Sequence, residues 1–214
     1  MASVTGLKKL FANLFHRAST PPTLDPGELD AEWLVVGLGN PEPDYSGTRH
    51  NVGYMVVDDL LAPRGDLLQP VKGHRVHAAQ LADHAVAVRA DTYMNTTGEA
   101  IGPLARALHI APDHVIAVHD ELDLPPHKVK LKAGGNENGH NGLKSLTEHL
   151  GTRDFLRVRV GIGRPPRGIA VPDWVLGDID NGPGLDRATE LAAEGVRGTV
   201  KHGLQKAQNA IHSR

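Results

Sequence analysis

The stretch "WLVVGLGNPEPDYSGTRHNVGYMVVDD", Trp33 to Asp59, decides how this chain is read. "WLVVGLG" is a continuous apolar run of strand length, the composition expected of a strand covered on both faces. Asn40 and a proline-rich turn follow, and then Val52, Met55, Val56 and Leu60 recur at helical spacing, which predicts a helix from near Asn51. Strand, glycine turn and helix suggest a dinucleotide cradle, but that cradle needs G-x-G-x-x-G, its third glycine permitting close helix–strand packing. Gly37 and Gly39 are present, whereas Glu42 stands at the third position between Pro41 and Pro43. A carboxylate flanked by prolines is a poor seat for a pyrophosphate. The turn is better read as the mouth of a different site.

Working outward, "RVHAAQLADHAVAVRA" predicts two strands around Asp83, and "HVIAVHDELDLP" a strand ending at His119-Asp120. "KVKLK" and "FLRVRVGIG" alternate as strands do. "TYMNTTGEAIGPLARALHI" predicts a helix, with Thr96 and Glu99 at capping-box spacing and Pro103 expected to bend it or shift its start. "HNGLKSLTEHL" predicts another with Leu143, Leu146 and Leu150 inward, and "LDRATELAAEGV" and "TVKHGLQKAQNAIH" a closing pair. Strands alternating with helices imply an α/β domain of three layers, a central, mostly parallel mixed sheet flanked by helices. Ahead of it, "GLKKLFANLFHRA" has one apolar helical face and "STPPTLDPGELD" reads as a linker, so residues 1–31 are expected to be an extension and 32–214 the domain. The amphipathic segment is expected to dock on the domain or bind a partner.

A chain of 214 residues with 40% hydrophobic and 22% charged residues suits one globular domain. It has no cysteine, which excludes disulfides, thiolate metal sites and cysteine nucleophiles. No apolar run reaches the roughly 18–20 residues of a membrane span, and a cytoplasmic location is expected. The formal net charge of −2 is unevenly spread. Between His127 and Arg167 nine Lys/Arg face three Asp/Glu, a local balance of +6 against −8 elsewhere. Such a segment is either a solvated basic face or a footprint for a polyanion.

In an open α/β sheet, ligands bind outside the carboxyl ends of the strands. The apolar runs end in Asn40, Asn95 and Asp120, while "GGNENGHN" delivers Asn141 at a helix start and His50 precedes the first helix. Singly, each has an ordinary reading as a turn or cap residue; together they place three amides, an imidazole and a carboxylate at one rim. No G-x-S-x-G elbow is present, and a zinc site from His119, Asp120 and Asp123 lacks an accompanying H-x-x-x-H pair. What these residues permit is a His–Asp pair. Asp120 would fix the tautomer of His50, His50 would deprotonate a water, and the amides would hold a carbonyl and its developing oxyanion.

The blocks "VVGLGNPEPDYSGTRHNVGY", "TYMNTTGEA", "HDELDLP", "GHNGLKS", "RVRVGIGRP" and "DWVLG", in that order, resemble those of bacterial-type peptidyl-tRNA hydrolase over roughly Trp33 to Ile211. The resemblance implies a monomeric α/β enzyme that uses no metal and no other cofactor. It implies cleavage of the ester between a peptide and the 3′ ribose of tRNA, returning tRNA to translation. Matched block by block, it implies His50 as the catalytic base with Asp120 as its partner. It implies Asn40, Asn95 and Asn141 as substrate- and water-positioning residues, with Tyr45 and Met94 lining the cleft. It implies Lys132 and Arg159 as contacts to tRNA phosphates. Period-two spacing adds Lys130 and Arg157 to the same ladders, since alternate residues of a strand share a face. An RNA-binding module without turnover and a small-molecule esterase are the competing readings. The intact His50, Asp120 and asparagines count against the first, and the basic ladders against the second.

The chain departs from the pattern in its leading extension and in Asn136 and Asn138, which replace glycines in the loop before "GHNG". Asparagine tolerates positive φ, so that loop is expected to persist.

Overall fold

The structure, a computed structural model, describes residues 22–214; the amphipathic segment at Gly6–Ala18 lies outside them. Seven strands form one mixed sheet in the order β2-β3-β4-β1-β5-β7-β6. They are β1 (Trp33–Gly37), β2 (Gln69–Pro70), β3 (Val76–Gln80), β4 (Ala85–Ala90), β5 (Val115–Glu121), β6 (Val129–Ala133) and β7 (Leu156–Gly161). Within it, β4, β1, β5 and β7 run parallel, β3 and β6 flank them antiparallel, and β2 pairs antiparallel with β3 at the edge. The helices are α1 (Val52–Leu61), α2 (Thr97–Ala107), α3 (Asn141–Leu150), α4 (Val171–Val175), α5 (Pro183–His202) and α6 (Leu204–His212).

Alternation along β1 builds both core layers. Leu34 and Val36 pack towards Ile101 and Leu104 of α2 and Leu143 and Leu146 of α3. Val35 points the other way, into a layer holding Val52 and Val56 of α1, Ala192 and Val196 of α5, and Ile211 of α6. Each fully buried Leu or Val contributes about 1.5–3 kcal/mol relative to exposure, so a one-residue slip of β1 would forfeit both faces at once. The three-layer α/β architecture read from the sequence is the one formed. No helix among the described residues is long and apolar enough to cross a membrane.

The glycine missing from the first turn reappears on the helix. A Cβ at Gly53, in the first turn of α1, would run into the backbone of Leu38 and the Val118 carbonyl. One at Gly37 would come within 2.6 Å of the Gly53 carbonyl oxygen. Strand and helix therefore touch backbone to backbone, which seats the residue before α1, and with it His50, close over β1 and β5.

Several local readings change. Pro103 lies inside α2 without ending it; the bond it cannot make would have gone to the carbonyl of Glu99, an exposed residue within reach of water. The Thr96–Glu99 capping box does not form, because a 3₁₀ turn, Met94–Thr96, precedes the helix. There Thr96 Oγ1 donates to the Tyr93 carbonyl at 3.1 Å, and Glu99 pairs with Arg75. The segment read as a linker is held on the domain from Leu24 onward. Leu24 exchanges backbone hydrogen bonds with Pro70 and Lys72, and Leu24, Leu29 and Ala31 pack on the α2–α3 side of the sheet. At the opposite border, α6 covers the outer strand, with Gln208 donating to the Leu131 carbonyl and His212 accepting from the Leu131 N–H.

Gly53→Ala forces a methyl into backbone, and we expect a loss of about 3 kcal/mol of stability. Urea unfolding followed by circular dichroism checks this; an unchanged midpoint would remove the close-approach argument.

Candidate active site

The carboxyl ends of β1, β4 and β5, the turn before α1 and the start of α3 enclose a cleft of about 580 Å³. Asn40, Tyr45, His50, Met94, Asn95, Asp120 and Asn141, all singled out in the sequence, line it. His50 sits on a 3₁₀ turn, Arg49–Asn51, and Asp120 near the end of the fully buried β5. His50 Nδ1 lies 2.8 Å from Asp120 Oδ1. A carboxylate only accepts, so this nitrogen carries a proton, and in the neutral ring the lone pair is then on Nε2.

A second imidazole reaches the same oxygen. His140 Nε2 donates to Asp120 Oδ1 at 3.0 Å, while its Nδ1 caps α3 by accepting from the Leu143 N–H at 3.4 Å. Burial alone would raise the pKa of Asp120, but the adjacent His50 and His140 prevail and hold it well below the usual carboxylate range. Asp120 is thus an ionised acceptor shared by two rings. His119, completely enclosed, donates Nδ1–H to the Asp120 carbonyl at 2.6 Å and meets His140 edge-on at 5.0 Å. Burial first, and then His140, push its pKa well below the ordinary imidazole value, so it stays neutral.

Asn40 is fixed from three directions. Its side-chain oxygen accepts from the Met94 N–H at 2.8 Å, leaving its NH₂ as the available donor. Its backbone N–H donates to Asn51 Oδ1 and its carbonyl accepts from Asn51 Nδ2, at 2.8 and 2.9 Å. Asn51 is wholly buried, so the pair locks the end of β1 to the start of α1. Tyr45 meets Tyr93 edge-on at 6.4 Å on one wall of the cleft, and Val171, Pro172 and Leu176 form another.

The zinc set considered from the sequence does not assemble. His119 faces its own strand's carbonyl, and Asp123 pairs with Arg164. Among the described residues, the group whose ligand-type atoms lie within 4.8 Å of one another is His50, Asp120 and His140, already joined by the two hydrogen bonds above.

The basic ladders lie beside the cleft. The register sets Lys130 opposite Arg159 and Lys132 opposite Arg157, on the sheet face opposite Leu131 and Val158, which pack against α5 and α6. Lys130, Lys132 and Arg159 are partly exposed. Burial, then Arg159 and Arg157, lower the pKa of Lys132, the signature of an ammonium held among cations. Arg159 donates to Glu121 at 2.9 Å, and Glu121 lines the cleft, so the basic face runs into it.

Arg157 corrects the ladder. It is 1% exposed and donates to the carbonyls of Asn136 and Gly135 at 2.7 and 2.6 Å, with its guanidinium 4.7 Å from the Phe155 ring. The loop that carries Glu137 and leads to His140 folds over it, so Arg157 braces that loop and offers no surface to a phosphate. Asn138 takes φ 49°, the conformation the replaced glycine would have supplied, and Asn136 contributes its carbonyl to the clamp.

The family model for peptidyl-tRNA hydrolase matches residues 34–214. The chain belongs to the peptidyl-tRNA hydrolase family. It is 53% identical to "Peptidyl-tRNA hydrolase 2" of Corynebacterium glutamicum over 216 residues, covering all of both chains. It is 43% identical to the peptidyl-tRNA hydrolase of Cutibacterium acnes, over 86% of this chain and all of that one. The crystal structure of peptidyl-tRNA hydrolase from Acinetobacter baumannii aligns with a TM-score of 0.73 at 31% identity, covering 86% of this chain and 96% of the other.

Against that family background, sequence reasoning missed Asn51, His140 and the Glu137 anchor. Glu137 accepts from Arg153 at 2.7 Å and from Thr147 at 2.8 Å, and Arg153 first, over the opposing effect of burial, lowers its pKa to about 2. A carboxyl depressed from 4.5 in this way stabilises the fold above pH 4.5 and loses that contribution as pH falls towards 2. Glu137→Gln should therefore be less stable than wild type at pH 7, with the gap closing as pH falls through this window. Thermal melts at several pH values check it; a gap that widens on acidification would overturn the assignment.

Proposed function

We propose that this protein hydrolyses the ester linking a peptide, or an N-blocked amino acid, to the 3′ ribose of tRNA, using His50 as general base and no covalent acyl-enzyme. The observation that carries the reading is the His50–Asp120 hydrogen bond at a cleft lined by three asparagines, since a ring that donates from Nδ1 has Nε2 as the site for a proton taken from water. Water held near Nε2 gives its proton to His50 as its oxygen bonds to the ester carbonyl carbon. Asp120, kept ionised, stabilises the imidazolium so formed. The Asn40 NH₂, aimed by the Met94 N–H, is placed to donate to the carbonyl as it becomes an oxyanion. Asn95 and Asn141 complete the polar wall that holds water and carbonyl. Collapse of the tetrahedral intermediate breaks the carbon–oxygen bond to the ribose, and the imidazolium returns its proton to the departing 3′ oxygen.

Lys130, Lys132 and Arg159 are assigned to the tRNA backbone. Phosphate contacts carry no base information, which suits an enzyme serving every tRNA. Cytoplasmic action as a monomer accords with this role. The extension, residues 1–31, is assigned no part in the chemistry, and from Leu24 onward it packs on the domain.

His50→Ala should lower kcat about 10³-fold on N-acetylaminoacyl-tRNA while leaving the inhibition constant of free tRNA within about twofold. Equal loss of both would make His50 structural. Lys132→Ala should raise KM and reduce the slope of log affinity against log salt by about one. An unchanged slope in competition titrations would remove the phosphate assignment.

A further inference from the structure

The mechanism leaves one connection unused. His50 is preceded by Gly47, Thr48 and Arg49, and these pair along the chain that leaves α4. Arg49 N–H donates to the Gly177 carbonyl at 3.0 Å, Ile179 N–H donates to the Gly47 carbonyl at 2.8 Å, and Thr48 bridges to Asp178 antiparallel. The Arg49 guanidinium lies 3.6 Å from the centre of the Trp174 ring and donates to the Trp174 carbonyl at 3.1 Å. Trp174 is held in turn by its own Nε1–H, which donates to the Gly163 carbonyl at 2.9 Å. A Cβ at Gly177 would stand 2.9 Å from Arg49 Nη1, so the guanidinium fills the space a side chain would take.

α4 itself is a short wall. Val171 and Leu176 are exposed large apolar residues, and both line the same cleft as His50. Exposed apolar side chains at the cleft wall suit the acyl side of the substrate. A hydrophobic peptide seated there gains burial, and the wall it rests on is tied to the residue next to the base by the backbone pairs above and, through side chains, by the Arg49–Trp174 stack and hydrogen bond.

We propose that Arg49 and Trp174 are positioning residues that couple occupancy of the α4 wall by the peptide to the placement of His50. Binding energy gained away from the ester is then spent on orienting the base, so a longer peptide raises kcat and not only affinity. The size of the effect follows from how steeply rate depends on geometry, a misplacement of about 1 Å costing up to about 10²-fold. The coupling rests on the hydrolase reading above. It adds that the reaction senses the peptide beyond the residue being released, and it names the two side chains that carry the signal.

The experiment compares N-acetylaminoacyl-tRNA with the same tRNA carrying an N-acetylated tripeptide of apolar residues, in wild type, Arg49→Met, Arg49→Lys and Trp174→Leu. The wild-type chain is expected to show kcat for the tripeptide about fivefold above that for the single residue. Arg49→Met and Trp174→Leu should bring this ratio to about one while the inhibition constant of free tRNA stays put, because neither side chain belongs to the basic face assigned to the tRNA. Arg49→Lys, which keeps a cation over the ring, should restore most of the ratio. A merely structural role would slow both substrates equally and leave the ratio as it was, which would overturn the coupling, as would a wild-type ratio of one. Release from neither substrate by the wild-type chain would remove the hydrolase reading and the coupling with it. Where Arg49→Met melts below assay temperature, Trp174→Leu and Arg49→Lys decide the question by the same ratio.

Discussion

A carboxylate almost wholly enclosed at the end of a parallel strand has to be answered by donors, and the answer organises this molecule. Asp120 is 3% exposed, and its Oδ1 receives one imidazole from the turn before α1 and another from the cap of α3. Leaving both sides open would strand a buried charge, a situation that costs several kcal/mol. The elements that bring those rings in are therefore held tightly. Gly53 lets α1 touch β1 and β5, Asn51 locks the end of β1, and Arg157 and Glu137 anchor the loop that leads to His140. The two rings differ in freedom. His140 uses both nitrogens in structure, while His50 commits only one, and that difference is what suits His50 to the proposed role of base.

Much of the fold was legible because apolar runs and strand-end polar residues obey simple geometry. The strands at Trp33, Val76, Ala85 and Val115 follow from run length and punctuation, and three asparagines at strand or helix ends fall where an α/β sheet binds its ligand. What stayed hidden depended on distance in the chain. Asn51 serves Asn40, and His140 serves Asp120, through side-chain contacts that no local spacing encodes. α4 is too short to show a period, so Trp174 and its stack on Arg49 could not be read.

Arg157 marks another limit. Period two says which face of a strand a residue occupies but not what lies over that face. Lys130 and Arg159 share a face with Arg157, yet a loop folds over Arg157 and buries it, and its charge is spent on two carbonyls. Thr96 teaches the same lesson at smaller scale. Its spacing to Glu99 was that of a cap, but a 3₁₀ turn drew its hydroxyl back to Tyr93.

The register of the central strands acts as a ruler. β5 and β7 are hydrogen-bonded neighbours, with His119 facing Arg159 and Asp120 facing Val160, and paired strands stand about 4.8 Å apart. The carboxylate that orients the base and the cation at the border of the basic face are thus spaced by backbone hydrogen bonds, not by loops that could shift. Their separation is a constant of the scaffold. With the proposed assignments, a substrate would have to present its ester at one fixed remove from its phosphates, whatever its acyl group or base sequence, and molecules of other dimensions would satisfy one end of the ruler but not both.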